Sequence, residues 1–291
     1  QTMVGQFKDA DDRAKLLGLL AFKNFAADTN VIQTALRMFP DLRDAAARSA
    51  ILALARRAPM DYIRAAFASA KSEGCRELVA PLVETFARAG QSSELTQVLQ
   101  IAALHPNSTE KLNTAVLQTL HRFLETEEGL VWSGELETAL SRLLVSKSRT
   151  ARIAALPLAT HWTNSARLRD QARAVQDALL AEARNPALKD EERSVLVTNL
   201  FTVPSLHADL VGILDDLLDR STSLPAQRQL ITDLGRLNER FAGEVLVKHY
   251  PRLTNELRPV LFSALLKRSE WALALVQAVE RGDLTTRDLD L

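Results

Sequence analysis

The sequence predicts an all-α protein, an α-solenoid (α-α superhelix) of about eight helical hairpins. Three observations carry that expectation. The first is composition: 47% of the 291 residues are hydrophobic, but aromatics are only 5%. A core must therefore be built mainly from Leu, Ala and Val, and Ala and Leu lead the scale of helix propensity. Ten Gly and ten Pro are few for the turns that an all-β chain of this length needs. The second is a recurring phrase, an arginine followed by apolar residues at helical spacing. The third is that each phrase is followed, after a short break, by a second segment of the same periodicity.

The phrase reads RAKLLGLL from Arg13, RSAILALA from Arg48 and RELVAPLV from Arg76. It returns as RIAALPLA from Arg152, RSVLVTNL from Arg193, RQLITDLG from Arg228 and RPVLFSAL from Arg258. KLNTAVLQTL, from Lys111, fills the gap between Arg76 and Arg152 with lysine at the first position. Seven steps of 28 to 41 residues, about 35 on average, lead from Arg13 to Arg258. The pattern predicts paired helices near 44–57 and 59–72, 75–89 and 92–104, 190–201 and 206–220, and 225–237 and 239–250. In the last unit Leu257, Val260, Leu261, Ala264 and Leu265 fall at i, i+3, i+4, i+7 and i+8, one wide apolar stripe. Ser269 is the expected cap of a final helix whose buried side is Trp271, Leu275, Val276 and Val279. One such hairpin cannot bury its stripe alone, and stacking on its neighbours makes a continuous core.

Step length separates the solenoid classes. Tetratricopeptide repeats keep to 34 residues and carry a Trp-Leu-Gly-Tyr phrase; ankyrin repeats carry Thr-Pro-Leu-His. Neither phrase occurs here. Variable units with an Ala/Leu/Val core resemble HEAT repeats. Pro81 and Pro157 each lie five residues after a unit arginine, inside the first helix, where proline removes a backbone donor and kinks the helix; kinked first helices are a habit of that family. Residues 1–291 read as a single HEAT-like repeat domain excised from a larger protein. A non-repeating helical bundle is the competing architecture.

The C-terminal stretch SEWALALVQAVERGDLTTRDLDL contains Arg281-Gly282-Asp283. Gly282 follows the last apolar position of a helix, where a left-handed C-cap residue is wanted. Arg281 opposes the helix dipole. The adhesion-like triplet thus has a complete structural explanation. Thr285-Thr286-Arg287-Asp288 then fits a helix start, with Thr285 as cap and Asp288 reaching back. The phrase Arg268-Ser269-Glu270-Trp271, Leu275-Val276, Ala278-Val279 and Gly282-Asp283-Leu284 resembles the end of the HEAT region in large secreted, dehydrogenase-like proteins of planctomycetes and their relatives. The specific likeness covers about 35 residues. It implies a sugar-dehydrogenase-like β-propeller before this region, a c-type cytochrome domain with Cys-x-x-Cys-His after it, and a periplasmic or extracytoplasmic location. Neither companion domain is in this sequence, so no catalytic or haem residue is carried over, and composition alone leaves a cytoplasmic location open.

Lys plus Arg is 36 and Asp plus Glu is 36. A net charge of zero speaks against a dedicated nucleic-acid binder, which usually carries a basic excess. It also disfavours a glycosylase of the DNA-alkylation-repeat type, which needs a cationic groove with aromatic residues. No apolar run approaches the ~20 residues that cross a bilayer. Gln1 is not followed by a basic-then-apolar leader, as expected of a processed or excised chain.

No constellation of chemistry emerges. His105, His121, His161, His207 and His249 form no His-Glu pair and no i, i+4 pair on one helix, and read as surface or capping histidines. Gly90, Gly134 and Gly235 are isolated, so no phosphate loop is formed. Cys75 excludes a Cys-x-x-Cys motif in this region. Its place at a helix start raises the possibility of a lowered thiol pKa, against the plainer reading of a small residue near a turn. Asp215-Asp216 and Glu127-Glu128 are sequence neighbours that point apart on a helix and read as solvated surface. Asn107-Ser108-Thr109 reads as a polar loop. Trp132, Trp162 and Trp271 read as core in preference to contact anchors. No catalytic, metal or cofactor-binding residue is expected in this region, and no cofactor.

Charge placement is the one uneven feature. Arg142, Lys147, Arg149, Arg152, Arg167, Arg169 and Arg173 are opposed only by Asp170 over that stretch. Acidic segments flank it, with Glu125, Glu127, Glu128, Glu135 and Glu137 before and Asp209, Asp215, Asp216 and Asp219 after. These seven residues form a candidate docking patch, with ordinary charge scatter as the alternative. The expected function is a non-catalytic HEAT scaffold that spaces and docks a propeller and a haem domain. The alternative is a free-standing HEAT adaptor binding a protein or peptide. The expected partners are protein domains, with no nucleic acid and no membrane segment.

Overall fold

The structure, a computed structural model, describes residues 18, 22–69, 72–105, 110–124, 131–161, 165–218, 222–236, 240–285 and 289. Among them there are fifteen α-helices, short 3-10 turns and no strand. The helices are α1 Thr29–Met38, α2 Ala45–Ala55, α3 Pro59–Ala68, α4 Arg76–Arg88, α5 Ser92–Leu104, α6 Glu110–Leu124, α7 Gly134–Leu144, α8 Arg149–His161, α9 Ala166–Arg184, α10 Asp190–Leu200, α11 His207–Leu217, α12 Leu224–Leu234, α13 Arg240–His249, α14 Arg258–Leu265 and α15 Ser269–Glu280. The chain divides into two compact units, residues 1–172 and 173–291, with the division inside α9.

Within each unit helices stack on the helix two positions along, and α4 with α5, α10 with α11 and α14 with α15 also pack as consecutive pairs. In the first unit α1, α3, α5 and α7 form one layer, and α4, α6 and α8 the other. In the second unit α10, α12 and α14 stack, and so do α11, α13 and α15. This is the all-α, solenoid-like arrangement expected from the repeated phrase. Seven consecutive helix pairs in chain order are described, together with α1, the second helix of the unit that opens at Arg13; the phrase at Arg13 itself lies outside the described residues.

The cores follow composition. Leu78, Leu82, Leu95, Leu99, Leu112 and Leu120 are buried in the first unit, and Leu196, Leu210, Leu230, Leu246 and Leu261 in the second. Helix starts are fixed by side-chain caps. Asp28 accepts from the amides of Asn30 and Val31, and Asp44 from Ala46 and Ala47. Ser133, Ser165 and Ser223 accept from Leu136, Leu168 and Ala226. Each such cap satisfies one of the four donors a helix start leaves open. Pro81 and Pro157 lie inside α4 and α8, as expected.

Four of the repeated arginines, Arg48, Arg152, Arg193 and Arg258, prove to be staples for the turn that precedes their helix. Arg48 donates to the Leu42 carbonyl (3.3 Å), and Arg152 donates to that of Ser146 (3.1 Å). Arg258 donates to Leu253 (3.2 Å) and Pro251 (3.1 Å). Arg193, itself buried, donates to Ala183 (3.0 Å) at the end of α9. Turn carbonyls left by the previous helix need donors, and a planar five-donor guanidinium reaches several at once. Arg48 also stacks over the Phe39 ring at 4.5 Å and pairs with Glu77. Arg268, ahead of α15, performs the same service for the Arg236 carbonyl across the stack (3.2 Å).

At the C-terminal end Gly282 has φ +78°. The Gly282 amide donates to Val279 (3.0 Å) and the Asp283 amide to Ala278 (2.9 Å). That pair of bonds is a Schellman cap, and Gly90 with φ +64° closes α4 in the same way. The Asp283 carboxylate accepts from Arg281 Nε at 2.8 Å, so the Arg-Gly-Asp triplet is a helix stop. Two details of the last helix differ from the expectation. Its N-cap is Arg268, with no side-chain cap bond, and Ser269 is already helical. Its buried stripe is Trp271, Leu275 and Ala278, whereas Val276 is 52% exposed and Val279 half-buried. The stripe keeps i, i+4, i+7 spacing, and Ala278 is small enough to sit against the neighbouring hairpin. The helix start proposed at Thr285 involves Asp288, outside the described residues.

Candidate functional site

A concavity in the first unit lies between α5 and α7. Two adjoining hollows of about 480 and 370 Å3 share Gln100 and Glu135 as lining residues. On α5, Ser93, Gln97, Gln100 and Leu104 recur at i, i+4, i+7 and i+11, so the helix presents one outward stripe. Across from it lie Val131, Trp132, Thr138 and Arg142. Packing of α5 on α7 and the bond from the Val131 amide to Ser92 Oγ (2.7 Å) hold the two sides together. Leu104 and Val131 are both 64% exposed. Arg64 on α3 donates to Gln97 Oε1 at 3.1 Å, and the Gln97 amide nitrogen, a donor, makes no bond to a described residue. Gln100 is half-buried, and its side chain makes no hydrogen bond to any described residue.

The seven basic residues of the expected docking patch are distributed over α7, α8, α9 and the turn between α7 and α8. Arg142 stands in the last turn of α7, and Lys147 and Arg149 bracket the start of α8. Arg152 is committed to the Ser146 carbonyl. Arg167 and Arg169 are in the first turn of α9, and α8, with its 13 residues, puts about 20 Å between them and the Lys147 end. Arg173 opens the second unit. Arg142, Lys147, Arg167 and Arg169 are exposed and have no carboxylate within ion-pair distance among the described residues. Of the seven, Arg142 is the one that lines the groove. Of the flanking acids, Glu125, Glu127, Glu128 and Asp219 lie outside the described residues, as do Asn107, Ser108, Thr109 and Trp162.

Four histidines match the expectation of surface or capping roles. His105 ends α5, His121 and His161 lie in last turns, and His207 opens α11 with Nε2 2.9 Å from the Phe201 carbonyl. His249 does not. It is 3% exposed, and its Nε2 lies 2.6 Å from Asp215 Oδ1, off the ideal hydrogen-bond direction. Burial holds its pKa below the ordinary 6.5 despite the opposing pull of Asp215, and Arg252 and Lys248 add to the lowering. Asp215 is correspondingly not plain solvated surface. Its α-helical neighbour Asp216 points away, as expected, and is exposed. The reason His249 escapes a reading of the sequence is that its partner is 34 positions away, on another hairpin.

Cys75 is fully buried just ahead of α4, with Sγ 3.9 Å from the Leu36 carbonyl. A thiol so placed packs α4 against α1 and is shielded from reagents. Trp271 is core, as read; Trp132 is half-buried at the groove. Among the described residues no three of His, Cys, Asp and Glu come together as a metal set. No helix among them is long and apolar enough to cross a membrane. Comparison with family models, with curated proteins and with solved structures gives no match for this chain. Gln97 and Gln100 were not singled out by sequence reasoning. The available signal was an uncharged polar stripe on a helix face where most neighbouring helices carry Arg, Asp or Glu.

Proposed function

We propose that this chain is a non-catalytic HEAT-like scaffold, one that spaces and docks other protein domains. The observation that carries the reading is the stapled stack. Within each unit, hairpins pack on hairpins, and four of the inter-hairpin turns are tied down by their own unit arginine. Such a stack fixes the separation of whatever is attached to it and offers helix surfaces for docking. The likeness of residues 257–291 to the end of the HEAT region in planctomycete dehydrogenase-like proteins supplies the nature of those domains: a β-propeller oxidoreductase on one side and a c-type cytochrome on the other, in an extracytoplasmic compartment. Haem and any redox cofactor belong to those domains in this reading, and the region itself turns nothing over.

The reading frame around codons 1–291 tests it. A propeller upstream and a Cys-x-x-Cys-His coding segment within a few hundred residues downstream, with haem absorbance in the whole protein, support it. A stop codon soon after Leu291 with no upstream domain refutes it. The groove on α5 and α7 then favours the second reading, a free-standing adaptor that binds a peptide or protein.

A further inference from the structure

We propose that the α5/α7 groove of the first unit binds an extended polypeptide segment that carries an acidic side chain. The inference rests on the reading of the chain as an interaction scaffold and specifies what one of its surfaces takes. Four features of the groove determine the occupant. Its length is set by α5, whose 13 residues span about 20 Å, the reach of about six residues of extended chain. Its floor offers primary amides. A glutamine side chain presents a donor and an acceptor in the spacing of a peptide group. Gln97 is held by Arg64 with its NH2 free, and Gln100 sits half-buried with neither of its polar ends used by described residues.

Its ends are apolar. Leu104 and Val131, two of the most exposed large apolar side chains among the described residues, stand at opposite ends, and Trp132 lies beside Val131. Apolar side chains collected along one concavity mark a contact surface, whereas scattered ones do not. Its charge is asymmetric along the axis. Among the described residues Arg142 is the only cation in the lining and has no ion pair. Glu135, the only described lining carboxylate, lies nearer the Trp132 end. An occupant with an acidic group over Arg142 and apolar groups beside Leu104 and Trp132 matches both potentials, which fixes its direction as well as its position. A bidentate guanidinium-carboxylate pair is the strongest such contact available.

The test uses the whole 291-residue chain as bait for a displayed library of random ten-residue peptides. The expected result is an enriched set with Asp or Glu flanked by apolar residues at fixed spacing. Synthetic representatives lose affinity about three- to tenfold on Gln100→Ala and at least about tenfold on Arg142→Glu, with Arg142→Lys retaining part of it. Arg169→Glu, outside the groove, leaves binding unchanged, and circular dichroism confirms that all variants are folded. A photo-crosslinker at Thr138 captures the peptide. Failure to enrich any sequence, or enriched peptides that ignore Gln100 and Arg142, overturns the assignment. Peptides that crosslink elsewhere on the chain sink the groove but leave the scaffold reading standing, since that reading is decided by the flanking reading frame.

Discussion

Gly243→Ala tests the packing of the second unit at its tightest point. Gly243 is buried in α13, and the Trp271 ring of α15 lies directly on it. A Cβ at this position would stand 2.5 Å from Trp271 Cγ and 2.7 Å from Nε1, with Cδ1 also in collision. Carbon atoms prefer 3.5–4.0 Å, so the ring must withdraw by about 1 Å. Trp271 is 1% exposed, so it has no free space to retreat into. Overpacking of this kind costs about 1–3 kcal/mol. Exchanging glycine for alanine inside a helix returns up to about 1 kcal/mol. The clash therefore wins, and the expected outcome is a net loss of about 1–2 kcal/mol.

Urea denaturation, followed by circular dichroism and by tryptophan emission, reads the loss, with Trp132→Phe and Trp162→Phe in the background so that only Trp271 reports. Trp271→Leu alone removes ring area and destabilises, by less than the roughly 3–5 kcal/mol of a truncation to alanine. In the double variant the two changes are less than additive, because the smaller side chain makes room for the new methyl. A Gly243→Ala protein as stable as the parent, or additive effects in the cycle, would refute the argument that glycine is there to admit the ring.

The other expectations concern separate features. Arg193→Ala leaves the Ala183 carbonyl without its donor and should cost about 2–3 kcal/mol. Arg228→Ala, at the same position of the next unit but with an exposed guanidinium that makes no bond to a described residue, should stay within about 0.5 kcal/mol; thermal melts of the two variants compare them directly. Tyr62 is fully buried with a hydroxyl that finds no hydrogen-bond partner, and burial pushes its pKa well above the ordinary value. Tyr62→Phe is therefore expected to be neutral or stabilising by up to about 1 kcal/mol in urea denaturation, since an unmet polar group is removed. His249 has a folded pKa below its unfolded value. Its contribution to stability is then complete above pH 6.5 and is lost as pH falls through the folded pKa, because the unfolded chain binds the proton more readily. Denaturation midpoints measured from pH 7.5 down to 5 should fall, and His249→Gln should flatten that fall. Gly282→Ala, at φ +78°, should cost about 1 kcal/mol, while Gly134→Ala, where an added Cβ meets nothing, should not destabilise.

The fold was legible because its information is local and repeated. A stripe at i, i+3, i+4 with a break every dozen or so residues defines a hairpin without reference to the rest of the chain. The expected 92–104 helix is the one observed, and 75–89 and 190–201 end within a residue of the helices that form. Ends such as 72 and 220 overran because α3 and α11 stop at Ala68 and Leu217, where the chain turns before the apolar periodicity runs out. What stayed hidden depends on distance. Trp271 over Gly243, His249 beside Asp215 and Arg64 on Gln97 join residues 28 to 34 positions apart, one repeat along the stack. Periodicity predicts that such neighbours exist but not which side chains meet. The basic stretch, read from sequence as one candidate patch, has the 13 residues of α8 between the Lys147 end and Arg167 and Arg169.

The arginine that opens each unit joins these two kinds of information. It was the clearest mark in the sequence, and by position alone it was only a register mark for counting hairpins. In four units of the structure it has a physical task, and there the task explains the register. The carbonyls at the end of one helix and the first turn of the next are brought together wherever the chain reverses, so a donor at a fixed place after the turn can serve them in every unit. Arg48, Arg152, Arg193 and Arg258 do so through different carbonyls, from five to ten residues back. A long, forked side chain tolerates that spread, and with it the steps of 28 to 41 residues that separate the units. A short capping residue would demand turns of one length. Units of variable length can therefore stack in register because their tie is an arginine.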